Sequence, residues 1–247
     1  MKFILFISIT CAALFFISSC KKDNSVSNTS SAALPKSFTE DVTSSGLGHV
    51  VETVNLSYDG NGRLLSMISP SLPGNKILYQ YNTNQTFTID VYSANQISIH
   101  SLYWINANGF ADSCFQYNDT QDSSTTKYIY NDAKRLIQQK EYSFSTLSGS
   151  VLNSTDSYTY DNNGNVIQDQ GDFETTTFDY YPDLLNPWSL GGTYFPQTKN
   201  LQKTQTINSG GTPQTITHTY TFDSSNRLAV DSAVASDGGI DVKTYAY

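Results

Sequence analysis

Positive charge is scarce in this chain: Lys and Arg number 14 of 247 residues against 22 Asp and Glu, and no segment gathers them into a patch. Neutralising phosphates requires such a patch, so the sequence argues against nucleic acid as a partner and against electrostatic docking on anionic lipid. Cysteine is as thin, with Cys11, Cys20 and Cys114 the only three. Cys11 and Cys20 belong to the N-terminal segment treated below, which leaves Cys114 without a mate and no intrachain disulfide to expect; in Phe110 to Phe115 it reads as a small buried hydrophobe. His49, His100 and His218 lie far apart, and none has a Cys, Asp or Glu at metal-ligand spacing, so neither metal nor cofactor is expected. There is no Gly-x-Ser-x-Gly elbow, Walker loop or His-Glu-x-x-His, and no catalytic residue is assigned. Carboxylate pairs such as Asp169 with Asp172, or Asp90 with Glu141, would serve glycoside hydrolysis only if folding set them about 5 to 10 Å apart in a cleft. Helical periodicity is missing too, and the one long apolar run, Phe3 to Ile17, is too short to span a bilayer.

That run follows Met1-Lys2 and has the form of a secretory signal. Its end, Ile17-Ser18-Ser19-Cys20, resembles the lipobox of bacterial lipoproteins, which implies cleavage before Cys20 and lipidation of that residue. Several acyl chains together anchor a protein stably, so the body would be tethered to a membrane of the cell envelope without crossing it, most simply the outer membrane, facing periplasm or cell surface. Removing residues 1 to 19 takes away one charge, Lys2, and leaves 13 basic against 22 acidic residues. From Cys20 to residue 48 the chain is rich in Ser, Asn, Thr and Ala and reads as a disordered tether. About 25 such residues span roughly 30 Å as a flexible coil. Residues 49 to 247 then form one β domain.

What the chain has in quantity is aromatic residues, 17 Tyr and 13 Phe, and they recur in a pattern. Tyr158-Thr-Tyr160-Asp161-Asn-Asn-Gly164-Asn165-Val166 puts two rings on one strand face, then a tight turn, then a returning strand. Counting the second aromatic as zero, the unit asks for Asp or Asn at plus one, a turn former at plus four, Arg or Asn at plus five and an aliphatic at plus six. Tyr58-Asp59, with Gly62, Arg63 and Leu64, fits; so do Tyr128-Tyr130-Asn131 with Arg135 and Leu136, and Tyr220-Phe222-Asp223 with Arg227 and Leu228. Weaker copies lie at Tyr79-Tyr81-Asn82 and Tyr103-Ile105-Asn106, and a variant at Phe178-Asp179-Tyr180-Tyr181. Gly62 and Gly164 share an offset suited to a left-handed residue ending a turn with a bulge. The Asp-rich turns lack the later bidentate Glu of a calcium loop, and tight turns need the same residues, so they are read as turns. Ile97, Ile99, Tyr103 and Ile105 are expected on one face, and Phe87, Ile89 and Val91 on another, while opposite positions are Thr, Ser, Gln and Asn. One-sided alternation predicts an all-β, antiparallel meander of about 12 to 16 strands curled into a half-barrel or barrel, with no substantial helix.

Tyr-Asp-x-x-Gly-Arg-Leu at Tyr58 to Leu64 resembles the YD repeat of Rhs-type and teneurin-type shells, which implies hairpin walls and an association with carbohydrate. Phe178 to Pro187, Phe195 to Leu201 and Tyr220 to Leu228 are similar to an uncharacterised family of bacterial lipoproteins with a porin-like fold, which implies fold and envelope location and no catalytic residues. Together these give a non-catalytic, lipid-anchored binding or assembly module for a glycan or protein ligand. The paired rings Tyr79 and Tyr81, Tyr128 and Tyr130, Tyr158 and Tyr160, and Tyr220 and Phe222 are its candidate binding residues, either as a core ladder or as a ligand platform. A carrier holding an apolar ligand in a curved sheet is the alternative, with a hydrolase behind it and, last, an integral outer-membrane barrel, whose aromatic end Tyr245-Ala246-Tyr247 resembles.

Overall fold

The computed structural model describes residues 34–44, 48–83, 85–118, 123–145, 149–187 and 198–247. The expected signal segment, Cys20, most of the expected tether and the Gly191-Gly192 loop lie outside them. Alternation of Tyr, Thr, Val and Ile favours extended chain, because branched and aromatic side chains pack well on a pleated, half-buried surface. Strands β1 (Ser37–Ser44), β2 (Gly48–Tyr58), β3 (Leu64–Ile68) and β4 (Lys76–Tyr81) open the chain. They continue through β5 (Thr86–Ser93), β6 (Gln96–Ile105), β7 (Ala111–Asn118) and β8 (Ser123–Tyr130). Then come β9 (Leu136–Ser145), β10 (Gly149–Tyr160), β11 (Val166–Gln170) and β12 (Thr175–Leu185). The last four are β13 (Asn200–Asn208), β14 (Gln214–Phe222), β15 (Leu228–Ala235) and β16 (Ile240–Ala246). Each pairs antiparallel with its sequence neighbour, and β1 pairs with β16 from Ser37 opposite Ala246 to Thr43 opposite Ile240, closing a barrel with no free edge. The predicted all-β meander is therefore a closed barrel, and no α-helix occurs among the described residues.

The domain begins earlier than expected. Composition alone places Ser37–Ser44 in the tether, yet it is β1, paired on both sides. Its few apolar residues hid it: Phe38 and Val42 alternate with Glu40 on the inner face, while Ser37, Thr39, Asp41 and Thr43 face out.

One turn design recurs at five of the hairpin ends. In the β2–β3 turn the Gly62 N–H donates to the Asp59 carbonyl at 3.0 Å and the Asp59 N–H to the Arg63 carbonyl at 2.9 Å. The same pair of bonds joins Asn106 with Gly109 and Phe110, Asn131 with Lys134 and Arg135, Asp161 with Gly164 and Asn165, and Asp223 with Asn226 and Arg227. At the fourth residue φ is 77° for Gly62, 86° for Gly109, 62° for Lys134, 94° for Gly164 and 59° for Asn226. A register shift sits just before each turn, as between Ser57 and Tyr58 or Thr159 and Tyr160. These are tight turns closed by a bulge around a left-handed residue. Three of the Asp and Asn side chains cap them in one way: Asp59 Oδ1 accepts from the Asn61 and Arg63 N–H groups, both at 2.9 Å, and Asp223 and Asn106 repeat this on their own turns. The Asn61 and Arg63 bonds outweigh the effect of burial and hold the Asp59 carboxyl below its ordinary range.

The repeat also couples neighbouring hairpins. The Arg63 guanidinium, held by Asp59 Oδ2 at 2.6 Å, lies 4.2 Å over the ring of Tyr81, and Arg227 lies 4.2 Å over Tyr247 in the same way. Those tyrosines donate to the first carbonyl of a nearby strand: Tyr81 to Leu64 at 2.9 Å and Tyr247 to Leu228 at 2.8 Å, while Tyr130 reaches Ala111 at 2.7 Å, Tyr160 reaches Leu136 at 2.6 Å and Tyr180 reaches Val166 at 2.6 Å. A girdle of rings and cations thus ties strand to strand at the Asp-turn end, each cation–π contact contributing about 0.5 to 1 kcal/mol.

Candidate functional site

Alternation gives the wall two unlike faces. Outward positions are hydroxyl-bearing on β14, with Thr215, Thr217, Thr219 and Thr221, and on β10, with Thr155, Ser157 and Thr159, whereas Trp104 on β6, Phe115 and Tyr117 on β7 and Ile129 on β8 put exposed apolar groups on the same outer face. The inward face divides into two sectors. Along β2 to β7 it is apolar and closed by packing, with Ile77 at 1%, Phe87 at 0% and Cys114 at 3% exposure, and burial pushes the Cys114 thiol up to about 12. Phe87 and Ile89 share this face with Val91 as expected, and so do Ile99 and Tyr103, but Ile97 is exposed because the register shifts between Val91 and Tyr92.

Along β8 to β16, and on to β1 and β2, the inward face is aromatic beside the Asp turns and polar deeper in. The register follows the polar band strand by strand: Glu141 lies opposite Thr126, Asp156 opposite Gln139, Asp169 opposite Thr176, Asp231 opposite Lys243, Lys243 opposite Glu40, and Glu40 opposite Glu52. Lys243 Nζ contacts Glu40 at 2.9 Å and Asp241 at 2.6 Å. Burial pushes the Glu40 carboxyl up against the opposing pull of Lys243, and the two carboxylates raise the Lys243 ammonium in spite of its burial. Neither oxygen of Glu52, which is 6% exposed, has a hydrogen-bond partner among the described residues.

Burial, reinforced by the charges of Asp156 and Glu174, raises the Asp169 carboxyl to about 6. A native pKa above the unfolded one means that the folded protein holds its proton where the unfolded chain releases it, so this group's contribution falls as pH rises from about 4 to 6. Asp169→Asn removes that penalty. Since the carboxyl is part-exposed and screened, the expected gain at pH 7.5 is about 1 kcal/mol, or roughly 2 to 4 °C in Tm, vanishing by about pH 4; melts of both proteins across that range check it.

The candidate rings all sit on the inward face. Tyr79 is 2% exposed with its hydroxyl 3.6 Å from Met67 Sδ, and Tyr81, Tyr128, Tyr220 and Phe222 pack partly buried against the core. Tyr130 and Tyr160 belong to the girdle. Tyr158 and Tyr220 lie beside the polar band, where burial, reinforced by Asp169 for Tyr158 and by Asp231 for Tyr220, raises both phenols. Gly62 and Gly164 stay at the turn end. Of the carboxylate pairs weighed from sequence, Asp90 with Glu141 is divided by the wall itself: Asp90 faces out, paired with His100, and Glu141 faces in. Asp172 lies in the β11–β12 turn and accepts the Thr155 N–H at 3.1 Å.

Sequence reasoning missed two sets of residues. Each histidine has an aspartate on the adjoining strand: His49 with Asp41 at 2.7 Å, His100 with Asp90, and His218 with Asp231 at 3.1 Å. Ligand-spacing rules overlook partners that meet across a hairpin; register alone finds them. His218 Nε2 meets Gln202 at 3.3 Å, so the ring is held between two side chains. The second set is Glu40, Glu52 and Lys243, whose signal was a charge in phase with an apolar alternation, as in Val50-x-Glu52-x-Val54.

No family model matches the chain, and no curated protein matches it. Among solved structures it is similar to a porin-like protein from Bacteroides uniformis, with a TM-score of 0.60 and 16% identity over 86% of this chain and 97% of that one. It is also similar to a porin-like protein from Bacteroides vulgatus, with a TM-score of 0.56 and 13% identity over 86% of this chain and 98% of the other. At these identities the likeness is one of fold, and the fold of this chain is a sixteen-stranded antiparallel barrel of the kind those porin-like proteins have.

Proposed function

We propose that this chain is a cell-envelope binding protein, tethered to a membrane through a lipid on Cys20, whose barrel interior takes a polar glycan or peptide ligand without transforming it. The observation that carries this reading is the division of faces: the hydroxyl-rich outer rows of β10 and β14 oppose an inner wall of tyrosines and carboxylates. A barrel that crosses a bilayer by its strands needs a continuous outward apolar belt; the exposed Trp104, Phe115, Ile129 and Ile137 do not continue round the barrel, because the rows of β10 and β14 suit water instead. Recognition then falls to the interior, and an envelope location accords with the likeness to porin-like proteins. Phe87 and Ile77 fill the apolar sector with the chain's own side chains, which weighs against an apolar cargo. His218 is clasped by Asp231 and Gln202 with no nucleophile among those partners, which favours binding over hydrolysis.

Purified protein passed over immobilised oligosaccharide and peptide libraries tests the interior. Tyr158→Ala and Tyr220→Ala should each weaken retention about tenfold or more, near 1.4 kcal/mol, while outward Thr219→Ala leaves it unchanged. Retention indifferent to both tyrosines, or absent from the wild type, would replace binding by a scaffolding role. The anchor has a separate test. A fatty-acid analogue fed to cells should label the wild type and not Cys20→Ser, and an unlabelled wild type removes the lipid.

A further inference from the structure

Glu52 is the most unusual group in the interior. Its carboxylate is buried at 6% exposure, it projects from β2 on the inward face shared with Val54, and neither oxygen has a partner in the wall. Its cross-strand neighbour is a second carboxylate, Glu40, which shares the single ammonium of Lys243 with Asp241. Asp241 keeps a buried oxygen unpaired as well. A buried carboxylate with no hydrogen bond is costly whether it holds a charge or a proton, because the acid form also needs an acceptor for its hydroxyl. Among the described residues nothing supplies that partner, which leaves the place to a donor brought by a ligand.

We propose that the interior binds a linear alkyl diamine or polyamine, one ammonium of which is held by Glu52 beside Glu40 and Asp241. This rests on the reading of the interior as the binding surface and names the ligand's charge. A metal ion fits less well, because no group of three or more His, Cys, Asp or Glu among the described residues is arranged to hold one. An ammonium needs no such shell: it donates three hydrogen bonds and accepts carboxylates at varied angles. For the further ammonium groups of a longer polyamine the inner wall offers Glu141, Asp156 and Asp169 on β9, β10 and β11, half-way round the strand order from β2. Burial, reinforced by the charges of Asp172 and Glu141, raises the Asp156 carboxyl. The methylenes between two ammonium ends suit the tyrosine rings that border this band.

Titration calorimetry of the full chain with 1,4-diaminobutane at about 0.15 M salt, where the screening length is about 8 Å, should give one saturable site; uncharged 1,4-butanediol should give none. Glu52→Gln keeps the shape and should weaken the diamine about tenfold or more, whereas Asp179→Asn, on the outer face of β12, should leave it unchanged. Absence of saturable binding by the wild type, equal affinity for the diol, an unaffected Glu52→Gln, or equal losses in both variants would each overturn the proposal. Should Glu52→Gln lose its cooperative melt, Glu52→Asp takes its place: it keeps the charge, withdraws it by one methylene, and must weaken the diamine measurably. Loss of diamine binding while the libraries are still retained through Tyr158 and Tyr220 sinks the polyamine alone and leaves interior binding standing.

Discussion

Phe87→Ala is expected to lower the stability of the barrel by about 3 to 5 kcal/mol, roughly 10 °C in Tm for a domain of this size. Phe87 has no exposed surface, and its ring stacks on Tyr103 at 4.4 Å with 5° between the planes. Tyr81 lies 6.2 Å away on the other side, so truncation removes the middle of a three-ring stack and opens a cavity among rigid neighbours. Aromatic pairing adds about 0.5 to 1.5 kcal/mol beyond the area buried. Urea unfolding of wild type and variant measures it; a loss under about 1 kcal/mol would mean that this sector of the inner wall is not close-packed.

Lys243→Met should cost about 3 kcal/mol at neutral pH for a different reason. The methionine fills much of the same volume, so the loss is electrostatic: Glu40, 4% exposed, and Asp241 keep their charges while their shared cation disappears. Two features separate this from a packing defect. Burial already raises the Glu40 carboxyl, so the deficit should shrink as pH falls and the acids take up protons. Lys243→Met combined with Glu40→Gln should recover part of the loss, since the pair is coupled. A deficit that is constant from acid to neutral pH, and unrelieved in the double variant, would show that Lys243 acts only by its bulk.

The hairpins were legible because their signals are local. Tyr158 and Tyr160 alternate at the strand period, Asp161 caps its own turn through the Asn165 N–H at 2.8 Å, and the left-handed residue falls three places after the Asp or Asn. None of these depends on what lies across the barrel. β1 was harder, because Phe38 and Val42 give too little apolar signal to distinguish a strand from a tether; its pairing with β16, some 200 residues away, supplies what composition lacks. Closure itself was an open choice between half-barrel and barrel, and only that long-range pairing decides it.

The site followed the same division. Residue order by itself determined that the paired rings of each repeat share one face, that Thr and Ser alternate with them on strands such as β10 and β14, and that the Asp turns consume their own carboxylates, since alternation and capping act over a few residues. It could not determine which face is enclosed, nor that Asp90 and Glu141 lie on opposite sides of one wall. It also could not bring His218 to Asp231 or set Glu52 beside Glu40, because such partners are chosen by strand register. Whether a carboxylate lies in water or in a crowded interior is a property of the closed barrel, and that enclosure is what leaves Glu52 without a partner among the described residues.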